Sequence, residues 1–148
     1  MNRSKWVITD NDKTTILIRL MVGTVFLSEG IQKFLYAERL GAGRFEKIGL
    51  PAPEFFGPFV GFFEIFCGVL ILLGLMTRLA SIPIILIMAV AAVTTKGEVL
   101  AKDGFWEMMH GSRTDWAMLL GGVFLVIRGG GKWSLDKRIA ENGEGRKS

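Results

Sequence analysis

Residues 59–75, FVGFFEIFCGVLILLGL, constrain this chain more than any other stretch, because they are apolar on every side yet carry one carboxylate, Glu64. As a helix rising ~1.5 Å per residue the stretch extends roughly 26 Å, close to the ~30 Å hydrocarbon thickness of a bilayer. A surface helix of a soluble protein shows a polar face, and this one has none. Gly57, Gly61, Glu64 and Gly68 fall on one side at spacings of four, three and four, while Phe59, Phe62, Phe63 and Phe66 cover much of the remainder. The glycine side is therefore where a second helix is expected to approach closely. A carboxylate deep in hydrocarbon is costly unless paired, protonated or hydrated, so Glu64 is expected to face the bundle or a wet cavity.

Three further runs, at 16–35, 79–95 and 115–133, read as spans, the last clean only as far as Ile127 and lengthened towards Trp133. The first carries Glu29 and Lys33 and is followed by no small-residue cleavage pattern, so it reads as a span and not as a signal sequence. Arg19 near its start is placed to snorkel to the headgroups, as are Arg78 and Arg128 at the same face. The connection 36–58 is rich in Gly and Pro, and its Phe45 and Phe55–Phe56 predict an interfacial segment that prolines end before the second span. GLMTR at 74–78 is so short that the second and third helices must be antiparallel neighbours. The fold class expected is an all-α integral membrane protein, four transmembrane helices in an antiparallel bundle. Residues 1–139 form its single domain, and 140–148 a flexible charged tail. Lys and Arg are denser in the two tails and the 74–78 turn than in the long connections 36–58 and 96–114. The positive-inside rule then puts both termini and the short turn on the cytoplasmic side of the inner membrane, and the long connections outside.

Composition removes several kinds of chemistry. The net charge of +4 lies in short loops and tails beside apolar spans, which argues against nucleic acid and for the lipid bilayer as partner. Cys67 is the only cysteine and His110 the only histidine. That excludes an internal disulfide, a CxxC redox pair, a cysteine-held cluster and bis-histidine haem within one chain, and no metal site is expected. Cys67 reads as core filler and Met108–Met109 as packing.

The topology brings polar groups to one level, the outer third of the bilayer. Glu29 and Lys33 come late in the first span, Glu64 early in the second, Thr94, Thr95 and Lys96 close the third, and Asp115 opens the fourth. His110 and Trp106 belong to the connection above, where His110 also reads simply as a solvated residue. The plainest account is that Glu29 pairs with Lys33 one turn away, Glu64 finds a hydrogen bond, and the cluster fixes helix register. The functional account is a ligand, quinone or proton site in which all three acidic and basic groups line one cavity. One lysine between two carboxylates leaves a surplus negative charge, which calls for a proton or a further cation such as Lys96 or Arg113.

Several motifs together resemble the DoxX-like membrane proteins. They are Arg19, the Gly30-x-x-Lys33 helix end, GLPAP at 49–53, Glu64 followed by Gly68, LLGLMTR at 72–78, Gly104–Phe105, and GKWSLD at 131–136. The resemblance implies a four-helix membrane protein, and the family includes subunits associated with thiosulfate:quinone oxidoreduction and with thiol and oxidative-stress systems. Asp115 stands where the family pattern leads one to expect Glu. The resemblance brings no agreed catalytic residues. The resulting expectation is a small membrane subunit of a quinone- or thiol/sulfur-linked oxidoreductase system with no redox centre of its own, so that electrons come from a bound quinone or a redox-protein partner. Lys33 would attract the substrate, Glu64 relay a proton and Glu29 hold Lys33, with Asp115, His110 and Trp106 nearby. A small multidrug-type transporter and an assembly protein without chemistry are the alternatives.

Overall fold

Glycines decide which helices meet in the computed structural model of the chain, which describes residues 9–144. Helix α1 (Thr15–Leu35) is followed by the short helices α2 (Ala37–Leu40) and α3 (Ala42–Lys47) and then by α4 (Pro53–Leu73). A Cβ on Gly30 would lie 2.7 Å from the Gly61 carbonyl oxygen, and one on Gly68 would lie 2.9 Å from the Leu27 backbone nitrogen. The two backbones touch, with Gly30 beside Gly61 and Gly23 beside Gly68, so α4 runs antiparallel to α1. Gly57 departs from the expected helix–helix role: its missing side chain makes room for Ala42 of α3, which docks the connecting segment on α4.

A tight turn at Gly74 and Met76, both left-handed, leads into α5 (Thr77–Ala91). The helix then widens into a π-helical turn (Ala92–Lys96) and runs on as α6 (Gly97–Asp103). Helices α7 (Phe105–Gly111), α8 (Arg113–Arg128) and α9 (Leu135–Glu144) complete the described residues, among which there is no strand. Helix α8 packs chiefly on α5 and secondarily on α1. The core formed between the helices includes Val22, Phe26, Ile71, Ile84, Met118 and Leu125. Outward-facing Leu17, Phe62, Phe66, Leu120 and Ile127 leave an apolar exterior, the arrangement that hydrocarbon solvent requires.

Among the described residues three helices are long and apolar enough to cross a membrane: Thr15–Leu35, Pro53–Leu73 and Thr77–Asp103. At sixteen residues α8 falls short of that length. Helix boundaries differ from the sequence expectation in four places. Helix α4 begins at Pro53, so Phe55 and Phe56 belong to it rather than to an interfacial segment. Pro53 is tolerated at its first position because that N–H has no intrahelical acceptor, while Pro58 lies just inside. The third span does not end at Thr95, since Lys96 continues the helix. The last does not reach Trp133: it stops at Arg128, where Gly129 and Gly131 take positive φ and turn the chain under the bundle. Helix α9 continues past Ile139 to Glu144.

That undercrossing explains Arg19, which is 3 % exposed and does not snorkel. Its Nε donates to the Ile71 carbonyl at 2.8 Å and its Nη2 to that of Leu72, both at the end of α4, where carbonyls lack the i+4 N–H of a continuing helix. Its Nη1 donates to the carbonyls of Gly130 and Trp133. Buried Asp136 serves the next helix in the same way, its carboxylate accepting from the N–H groups of Met76 at 2.7 Å and Thr77 at 2.9 Å. Asp10 pairs with Arg128, and the Gly131 N–H donates to the Thr9 hydroxyl. The described amino-terminal residues, the 74–76 turn and the segment from Gly129 to Asp136 are thereby clamped together at one end of the bundle.

Candidate functional site

The opposite end of the bundle carries ion pairs between helices. Because Gly61 has no side chain beside Lys33 Cβ, the lysine can extend along the α1–α4 seam towards Glu64, one turn further along α4. Its Nζ lies 2.7 Å from Glu64 Oε2 and 4.0 Å from Glu29 Oε2. The principal partner of Lys33 is therefore Glu64 across the interface, and Glu29 is the secondary one, which reverses the order expected from the i, i+4 spacing. The Glu64 side chain is only 4 % exposed. A carboxylate has more lone pairs than one ammonium can occupy, so Glu64 paired with Lys33 can still accept a further hydrogen bond.

Glu29, Lys33 and Glu64 line one cavity of about 630 Å³. Its wall is mainly aliphatic and aromatic, with Phe26, Phe45, Phe56, Phe59, Ile87 and Met118 prominent. Asp115 of α8 and Thr94 and Thr95 of the π-helical turn contribute further polar surface. Lys96 sits on the same turn, donates to the Gly111 carbonyl at 2.8 Å and lies 2.9 Å from Asp115 Oδ2. The wide turn thus points a lysine at the start of α8 and ties the third long helix to the last; such turns occur often at functional sites.

Two candidates are not brought in. Trp106 is 82 % exposed and stacks edge-on against Phe105, and His110 is exposed; neither lines the cavity. Both belong to α7, which the sequence reads as loop and which turns these side chains outward. Arg113 does not line it either. The cation that does is Arg44 of α3, which sequence reasoning did not single out. Its signal was indirect: Gly57 supplied the notch that seats α3 against α4, and a residue two positions beyond Ala42 then reaches the cavity. Glu29, Glu64 and Asp115 are matched by Lys33, Arg44 and Lys96, so the site balances its charge without a surplus.

A helical bundle with an ion pair buried between two glycine-packed helices, beneath a mixed polar and apolar cavity, defines a small polytopic membrane protein. The DoxX family model matches residues 14–97, which include both helices of that pair and the π-helical turn, and the chain belongs to the DoxX family. It is 53 % identical over 134 residues to the uncharacterized membrane protein Rv3486 of Mycobacterium tuberculosis, covering 86 % of this chain and 82 % of that one. It is 29 % identical over 122 residues to CatD of Bacillus subtilis, a protein whose name assigns it provisionally to the oxidoreductases, covering 82 % and 84 %. No solved structure matches the chain.

Proposed function

We propose that the chain is a membrane subunit of an oxidoreductase system whose cavity takes a compact head group bearing hydrogen-bond acceptors, a quinone ring being the best fit and a small anionic sulfur compound the competing one. The observation that carries this reading is the pairing of Lys33 with Glu64 at 2.7 Å on the wall of a cavity of about 630 Å³. That volume lies within the range of ~300–1,000 Å³ usual for small-molecule sites, which are likewise mostly apolar with a few placed polar groups. Lys33 can donate to a carbonyl oxygen while remaining close to Glu64, and the Glu64 carboxylate can hold a proton delivered to or taken from the ring. A bound quinone supplies the electron- and proton-accepting chemistry; the protein positions its oxygens. The name of CatD supports an oxidoreductase link.

The reading includes a four-span bundle with α8 as the shortest span, both termini cytoplasmic and the cavity towards the outer face. Clamping of the described amino-terminal residues, the 74–76 turn and the segment after α8 at one end supports an even number of crossings. Binding tests the ligand. In nanodiscs, a tail-less naphthoquinone is expected to bind with micromolar affinity, and Lys33→Met is expected to weaken it at least tenfold while Trp106→Phe leaves it unchanged. Equal binding by Lys33→Met, or displacement of the quinone by millimolar thiosulfate, would shift the assignment away from a quinone head.

A further inference from the structure

The cavity has walls of unequal tightness. Helices α4 and α5 are joined by the turn at Gly74–Met76 and held there by Asp136, yet α4 packs mainly on α1 and α5 mainly on α8. Their mutual seam is looser than the α1–α4 and α5–α8 seams, and it meets the cavity at the end away from the 74–76 turn. On the loop side the cavity is roofed by half-buried Phe45 and Ile48. On the α4–α5 side its lining residues face outward: Leu86 is 61 % exposed, Val90 53 %, Phe59 44 % and Phe56 38 %. These four side chains belong at once to the cavity wall and to the exterior of the bundle.

We infer that the cavity opens sideways into hydrocarbon between α4 and α5, so that its ligand is a lipid-soluble amphiphile that enters from the bilayer and leaves its tail at Phe59, Leu86 and Val90. The inference rests on the cavity being the binding site proposed above and decides between the two head groups by their route of entry. Leu86 lies ~14 Å and Val90 ~20 Å along the helix from Thr77, both within the ~30 Å hydrocarbon layer. A water-soluble anion has no path at that depth, whereas a hydrocarbon tail gains from staying there. The polar groups Lys33 and Glu64 lie on the wall formed by α1 and α4, so an entering head group passes the apolar mouth before meeting charge.

The test compares one head group with and without a tail. In nanodiscs, 2-methyl-1,4-naphthoquinone carrying a prenyl chain is expected to bind at least tenfold more tightly than the tail-less parent after correction for partitioning into the lipid. Leu86→Trp and Val90→Trp, each made singly, are expected to lower that ratio at least threefold. A diazirine at the far end of the tail is expected to label peptides spanning 55–66 and 86–93. Equal affinity with and without the tail, or labelling confined to the segment 42–50, would overturn the lateral entrance while leaving quinone binding intact. Failure of both forms to bind would overturn the entrance and the quinone reading together.

Discussion

Lys33 and Glu64 show how one buried pair can hold a fold and prepare a site. Removing one partner of a buried pair strands the other's charge, which typically costs ~3–5 kcal/mol, whereas replacing both by apolar groups is often neutral. Lys33→Met is therefore expected to destabilise by about 3 kcal/mol, because among the described residues Glu64 has no other cation as near. Glu64→Leu is expected to cost only ~1–3 kcal/mol, since Glu29 at 4.0 Å can take over Lys33. Lys33→Met/Glu64→Leu is expected to regain most of the stability and none of the ligand binding. Thermal unfolding in detergent, measured alongside quinone affinity, checks all three; a double variant as unstable as Lys33→Met would show that the pair does not act as a unit. Arg19→Leu is expected to lose about 3 kcal/mol or more, because the carbonyls of Ile71, Leu72, Gly130 and Trp133 would lose their shared donor. Glu64 was legible as an inward-facing group from its isolation in an apolar run. The role of Arg19 was not, because its acceptors lie more than fifty residues away and two of them belong to a segment that reads as a continuation of the last helix.

Among the elements, glycine spacing carried the most information and helix ends the least. The Gly61–Gly68 face identified where α4 would be approached, and the backbone contacts with Gly30 and Gly23 of α1 occur there. The ends failed for reasons of context. Pro53 reads as a breaker, but at the first helical position it removes a donor that has no acceptor, while Pro58 lies inside the helix and forgoes one bond to the Glu54 carbonyl without ending it. Lys96 reads as the first polar residue of a loop, but its ammonium is satisfied by Asp115 and the Gly111 carbonyl, so the helix continues through it. Two glycines separate close packing from mere presence. Gly30→Ala is expected to destabilise by ~1–3 kcal/mol through overpacking, its Cβ meeting the Gly61 carbonyl oxygen at 2.7 Å. Gly97→Ala meets nothing within 4 Å at ordinary helical φ and is expected to stabilise by ~0.5–1 kcal/mol. Unfolding midpoints of the two variants check this, and equal shifts would contradict the packing argument.

At the scale of the molecule, the two ends of the bundle are built for different tasks. One is closed by Arg19 and Asp136, each satisfying helix-end groups from elsewhere in the chain; the other contains the cavity and its ion pairs. With Cys67 replaced by Ala, single cysteines at Lys102 and Arg138 report on the crossing of α8. Lys102→Cys is expected to react with an impermeant maleimide on intact cells and Arg138→Cys only after permeabilisation; reaction of both from outside would mean that α8 does not cross. The central claim, that the Lys33–Glu64 cavity holds a lipid-soluble head group, is tested most directly by what the protein carries from its own membrane. Purified in mild detergent and extracted for mass spectrometry, the wild-type protein is expected to retain a quinone at close to one per chain, and Lys33→Met/Glu64→Leu, folded to the same extent, less than a tenth of that. Equal amounts in the two proteins, or none in either, would contradict the claim.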